Sequence, residues 1–164
     1  MTNQLLFNIC NSIAMLGWLL LLAAPKWKWT GRIILGFIIV LLALIYVCTI
    51  AITFDPSVME SFSRLDGVMA LFTNETAVLA GWVHYLAFDL MVGMFIVSNA
   101  DKNNIKHYLT IPALLGSFMF GPAGLLLYLI IRWVKTKRYF MSYPEIKKAL
   151  LATCSKVQSE LYRL

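Results

Sequence analysis

The stretch from Trp82 to Asp89 sets an indole, an imidazole, a phenol and a carboxylic acid in otherwise apolar sequence (Trp82-Val83-His84-Tyr85-Leu86-Ala87-Phe88-Asp89). These are groups that give and take protons. On a helix that advances about 100° per residue, Asp89 lies about 40° from Tyr85 and about 20° from Trp82, so the three share a face. His84 is about 140° from Asp89. It stacks with Gly81 and Phe88 and must find its partner on another helix. An ionised Asp at the centre of a bilayer costs about 2.5–3.5 kcal/mol on insertion scales. Burial therefore favours the uncharged acid. Asp89, His84 and Tyr85 are the candidate catalytic residues.

Other apolar stretches supply polar partners. Asn8, Asn11 and Ser12 fall at i, i+3 and i+4 of one helix, and Tyr46, Thr49 and Thr53 form a similar stripe on the next. Thr110, Ser117, Gly121, Gly124 and Tyr128 line one face of the last apolar stretch, where small residues let helices approach closely. Gly121-Pro122 predicts a kink there. Helix-to-helix hydrogen bonding accounts for most of these groups. Trp82, Asn8, Asn11, Ser117 and Tyr46 are the candidate substrate contacts. No spacing suggests a metal site, a phosphate loop or a nucleophile elbow, and no cofactor is expected.

The elements that must position these groups are membrane helices. Of 164 residues, 60% are hydrophobic and 13% charged, against about 45–50% and about 25% in ordinary soluble domains. A span needs about 20 apolar residues. Leu5–Ala24, Ile33–Phe54, Ala77–Ser98 and Tyr108–Ile131 qualify, giving an all-α integral membrane bundle of four transmembrane helices over residues 1–132. Between spans two and three, Pro56–Phe72 reads as an amphipathic interfacial helix, and the basic tail 133–164 carries a second amphipathic helix. The N-terminus reads as a first span rather than a cleaved signal peptide. Cys10 and Cys48 read as packing residues, and the three cysteines suggest no disulfide framework.

The net charge of +6 is unevenly spread. Lys26, Lys28 and Arg32 crowd the first loop, the second loop is acidic, and the tail is basic. Because the tail's cluster follows a span directly, it reads as membrane orientation and lipid attraction, not nucleic-acid binding. Four spans place both termini on one side, so the basic first loop and the basic tail then compete for the cytoplasm. The larger tail favours cytoplasmic termini in a multi-pass protein of a bacterial inner membrane. A fifth crossing would remove the conflict, but Glu60, Arg64 and Asp66 make the middle loop a poor span.

The runs Gly81–Gly93 (GWVHYLAFDLMVG), Ile111–Leu115 (IPALL) and Phe120–Tyr128 (FGPAGLLLY) resemble the abscisic-acid-deficient-four family. Leu65-Asp66-Gly67-Val68 with Leu71-Phe72 adds to the likeness, which covers about Leu5–Arg132 and leaves out the tail. This is the plant neoxanthin-formation family, with bacterial relatives, and the present chain looks like a bacterial-type member. The resemblance implies a membrane enzyme or enzyme subunit acting on a carotenoid or related isoprenoid lipid. In plants the conversion of violaxanthin to neoxanthin opens an epoxide and makes an allene. Applied here, the resemblance would make Asp89 the acid and His84 the base, with Tyr85 orienting or donating. A carotenoid spanning about 30 Å of hydrocarbon keeps its rings near the interfaces, so ring chemistry at Asp89 requires a tilted or partly inserted substrate. The rival expectation is a non-catalytic lipid- or pigment-binding subunit of a larger complex or homo-oligomer. A proton-coupled carrier fits less well, with few spans and no inverted repeat.

Overall fold

The computed structural model describes residues 2–53 and 61–137, and every element among them is helical. Helix α1 (Asn3–Ala23) starts at a Thr2 cap whose side chain accepts from the Leu5 amide. It ends before Pro25, and the buried Thr30 hydroxyl closes the loop by donating to the Ala24 carbonyl at 2.6 Å. The second span follows as α2 (Thr30–Ile33), a π-helical turn (Ile34–Ile39) and α3 (Val40–Thr53). A short helix, α4 (Leu65–Leu71), leads to α5 (Glu75–Lys102), which Asn74 caps by accepting from the Thr76 and Ala77 amides. Then come α6 (His107–Phe120) and α7 (Pro122–Thr136).

Three helical stretches are long and apolar enough to cross a membrane: Asn3–Ala23, Thr30–Ile52 and Glu75–Lys102. They match the first three expected spans to within a few residues at each boundary. Helix α5 is central, packed against α1, α3 and α6. Its buried residues Leu79, Val83, Leu86, Leu90 and Ile96 meet Cys10, Ala14, Trp18, Leu21, Ile34, Ile38 and Leu42 in one core. Helix α4 turns Leu65, Met69 and Phe72 outward at spacings of four and three, each more than 60% exposed. That is the pattern of a helix lying on a bilayer. Of the segment 56–72 expected as an interfacial helix, Leu65–Leu71 is helical, while residues 54–60 and the expected tail helix lie outside the described residues.

The fourth span expected over 108–131 takes a different form. At Gly121 the chain adopts φ +50° and ψ −101°, and instead of kinking it turns back. Helices α6 and α7 then lie side by side and antiparallel. Gly124 is packed against Ala113 and Ser117, eleven and seven residues earlier, so closely that a Cβ on Gly124 would overlap the Ser117 amide and the Ala113 carbonyl. In one straight helix Ala113 and Gly124 would stand about 16 Å apart. Pro122 opens α7 at a position whose amide needs no helical partner.

Contacts with α5 fix the depth of this hairpin. Its base is level with the end of α5: His107 reaches the Leu22 carbonyl at 3.1 Å, and Tyr128 donates to Asn99 Oδ1 at 2.7 Å. Its tip meets Tyr85 and Asp89, halfway along α5. The hairpin therefore enters from the Lys102 end and returns to it. The side-by-side face Thr110, Ser117, Gly121, Gly124 and Tyr128 is buried as expected, but shared between two half-length helices.

The two ends of the described chain lie at opposite ends of α5. Asn3 donates to Thr76 at 3.3 Å, at the start of α5, while Thr136 continues beyond the Tyr128–Asn99 contact at the other end. Lys26, Lys28, Arg32, Lys102, Lys106, Arg132, Lys135 and Lys137 all gather at the Thr136 end. Among the described basic residues only Arg64 lies at the Asn3 end, paired with Asp66 at 2.9 Å.

The bend has a direct test. Gly121→Ala and Gly124→Ala should each destabilise the protein by roughly 2 kcal/mol or more, the first by strained φ and the second by overpacking. Gly36→Ala, where a Cβ meets nothing within 4 Å, should be close to neutral. Unfolding of the purified protein in detergent micelles measures the difference.

Candidate functional site

Asp89 lies where α5 meets the tip of the hairpin and is 8% exposed. Gly121 forms one wall: a Cβ there would stand 2.9 Å from Asp89 Oδ1 and 3.4 Å from Oδ2. A glycine is thus required twice over, for its φ and for the carboxyl beside it. Tyr85, one turn earlier on α5, donates its hydroxyl to the Phe118 carbonyl at 3.2 Å. The Asp89 carboxyl lies one turn further along the same face of α5.

Two buried oxygens lack a hydrogen-bond partner among the described residues: Asp89 Oδ2 and Ser117 Oγ. Both border the turn at Gly121, whose amide donates to the Ser117 carbonyl at 2.8 Å. Buried polar atoms are nearly always paired, so such a pair of orphans marks a place for a ligand or water. The N-terminal end of α7 brings partial positive charge to the same point.

Toward the Asn3 end, Tyr85 continues into a column of aromatic rings. Its ring lies 5.5 Å from that of Trp82, which lies 5.6 Å from Phe7. The Trp82 indole donates to Asn11 Oδ1 at 3.1 Å, and the Asn11 amide donates to the Phe7 carbonyl at 2.8 Å. Four of the expected site residues, Asp89, Tyr85, Trp82 and Asn11, are thus joined in one run of contacts. Ser117 is buried in the hairpin, against Gly124 and one turn before Gly121.

The remaining expected residues lie elsewhere. His84, named as the base for Asp89, points away around α5, exposed, and stacks on Phe88 at 4.4 Å. Tyr46 leans on it at 5.4 Å from the second span. The helical offset between His84 and Asp89 is the physical reason the two do not meet. Asn8 is exposed and is occupied near the helix start by Gln4 at 3.1 Å, so it reaches neither cluster. Among the described residues no three His, Cys, Asp or Glu side chains converge as metal ligands would.

Some contributors were not singled out from sequence. The Phe118 carbonyl and the Gly121 wall depend on the chain reversal. The Tyr128–Asn99 hydrogen bond ties the returning helix to α5 with Arg132, 5% exposed, close by. The Gly-Pro-Ala-Gly run in the middle of an apolar stretch was the available signal for all of these.

No match was found among curated proteins or among solved structures. The three sequence runs that carry the resemblance lie in α5, in α6 and across the hairpin tip into α7, and the family model described as ABA DEFICIENT 4-like matches residues 5–128, so the chain belongs to the ABA4-like family.

Proposed function

We propose that this protein is a membrane enzyme, or the subunit of one, that acts on a carotenoid or related isoprenoid lipid, with Asp89 as its proton carrier. Family membership ties the chain to carotenoid-related membrane proteins. The observation that carries the reading is the Asp89 carboxyl, buried against Gly121 at the hairpin tip with one oxygen unpartnered among the described residues. An isomerisation consumes no net proton, so a separate base is unnecessary. Asp89 gives its proton to an epoxide oxygen as the C–O bond breaks, and the resulting carboxylate takes a proton from a neighbouring carbon as the new double bond forms. Tyr85 steadies the carboxyl between these steps. His84, on the other face, takes no part in this exchange. The column Trp82–Phe7 offers the apolar surface along which a tilted substrate approaches.

Production in a carotenoid-making bacterial host, with the pigments then profiled, tests this reading. The wild type should convert an epoxide-bearing carotenoid to a product of equal mass. Asp89→Asn should abolish the product and Tyr85→Phe should reduce it about tenfold or more, as loss of one positioned proton-transfer or orienting group does. Protein levels must be unchanged in both. Unaltered pigments across several end-group types in the wild type would contradict the proposal and favour a pigment-holding subunit.

We also infer the orientation. Three crossings and a returning hairpin gather the basic residues at one end, which the positive-inside rule assigns to the cytoplasm. The Asn3 end then faces outward in a bacterial inner membrane. Alkaline phosphatase, active only outside, should work when fused after Thr73 and fail when fused after Lys28 or Lys137. Activity at Lys28 with none at Thr73 would reverse the assignment.

A further inference from the structure

On the far side of α5 from Asp89, a cleft of about 600 Å³ lies between the second span, α4 and α5. Its size is within the usual range of about 300–1,000 Å³ for small-molecule sites. Thr73 and Asn74 stand at its outer end, and His84 and Tyr46 at its inner end, with Val68, Leu71 and Ala77 among the walls. From Asn74 to His84 is ten residues of helix, about 15 Å, or half the thickness of the hydrocarbon. The cleft therefore runs from the interface to the membrane's middle.

Neither nitrogen of the His84 ring has a hydrogen-bond partner among the described residues, although the ring is held in place by Phe88 and Tyr46. In hydrocarbon an unpaired polar group costs several kcal/mol. A donor or acceptor arriving from the cleft would remove that cost. Among the described residues the lining carries hydroxyl, amide and imidazole groups on apolar walls, and no Lys, Arg, Asp or Glu. None of these described groups would neutralise a phosphate or an ammonium head group. Gly81 lies on the same wall, and a Cβ on it would meet nothing within 4 Å. The space beside His84 stays open because that side chain is missing.

We infer that this cleft is a second binding site, which takes an uncharged lipid carrying a terminal hydroxyl, with His84 as the hydrogen-bonding group at its inner end. The chain of the lipid lies along the apolar walls of α4 and α5. This site is independent of the chemistry at Asp89, because the two groups face opposite sides of one helix. It holds whether or not the protein isomerises a carotenoid.

The test uses three photoactivatable diazirine probes on the full-length protein in lipid nanodiscs: geranylgeraniol, its pyrophosphate, and the matching hydrocarbon without the hydroxyl. The alcohol should label peptides containing Tyr46–Ile50 and Ala77–His84, and unlabelled geranylgeraniol should displace it while the hydrocarbon does not. Gly81→Leu, which fills the cleft, and His84→Phe, which keeps the stacking, should each lower labelling about tenfold, near the upper value of one neutral hydrogen bond. Asp89→Asn should label like the wild type. Equal labelling by alcohol and hydrocarbon, or by alcohol and pyrophosphate, would overturn the inference. So would labelling that maps to other helices. The competition arm on the wild type decides the matter even if a variant fails to fold.

Discussion

A chain that reverses direction inside hydrocarbon must find partners for the backbone groups at its bend, because no water is there to serve them. Gly121 is where this protein meets that demand. Its amide goes to the Ser117 carbonyl, and its carbonyl accepts from Gly124 at 3.1 Å. The bend is pressed against Asp89, so the one carboxyl buried in the bundle among the described residues is also the floor of the turn. The fold and the proposed chemistry share the same atoms. Loosening the bend would expose backbone polar groups, and moving Asp89 would remove the wall that the bend packs on.

The hairpin also explains why α5 is the centre of the protein. A half-length pair of helices fills the bundle only at the basic end. At the other end the rings of Phe7, Trp82 and Tyr85 take its place beside α1 and α5. Helix α5 thus presents polar side chains on two faces at similar depth. One carries Tyr85 and Asp89 against the hairpin, and the other carries His84 against the second span and α4. A catalytic pair made of His84 and Asp89 would need the helix to twist by more than a third of a turn.

How much of this could be read from sequence follows from which forces write themselves into composition. The three long spans could, because hydropathy over about 20 residues is what a crossing requires. The shared face of Trp82, Tyr85 and Asp89 could, because helical rotation is a fixed angle. The reversal at Gly121 could not be read from hydropathy, since residues 108–131 are as apolar as a crossing helix. It depends on one positive φ and on the missing Cβ of Gly124. Charge did hold the clue. Four crossings set the basic first loop against the basic tail, and the conflict disappears when the last crossing is removed rather than another one added.

The central claim is that the chain from Lys106 to Lys137 enters the membrane and comes back. Spin labels at Lys106→Cys and Lys137→Cys, in a chain with Cys10, Cys48 and Cys154 replaced, measure this by electron-electron dipolar coupling. Neighbouring antiparallel helices lie about 8–10 Å apart, so the labels should fall within roughly 25 Å of each other once their linkers are included. A helix that continued across would separate them by about 45 Å. A distance near the larger value would contradict the hairpin, and with it the placement of Asp89 at the bend.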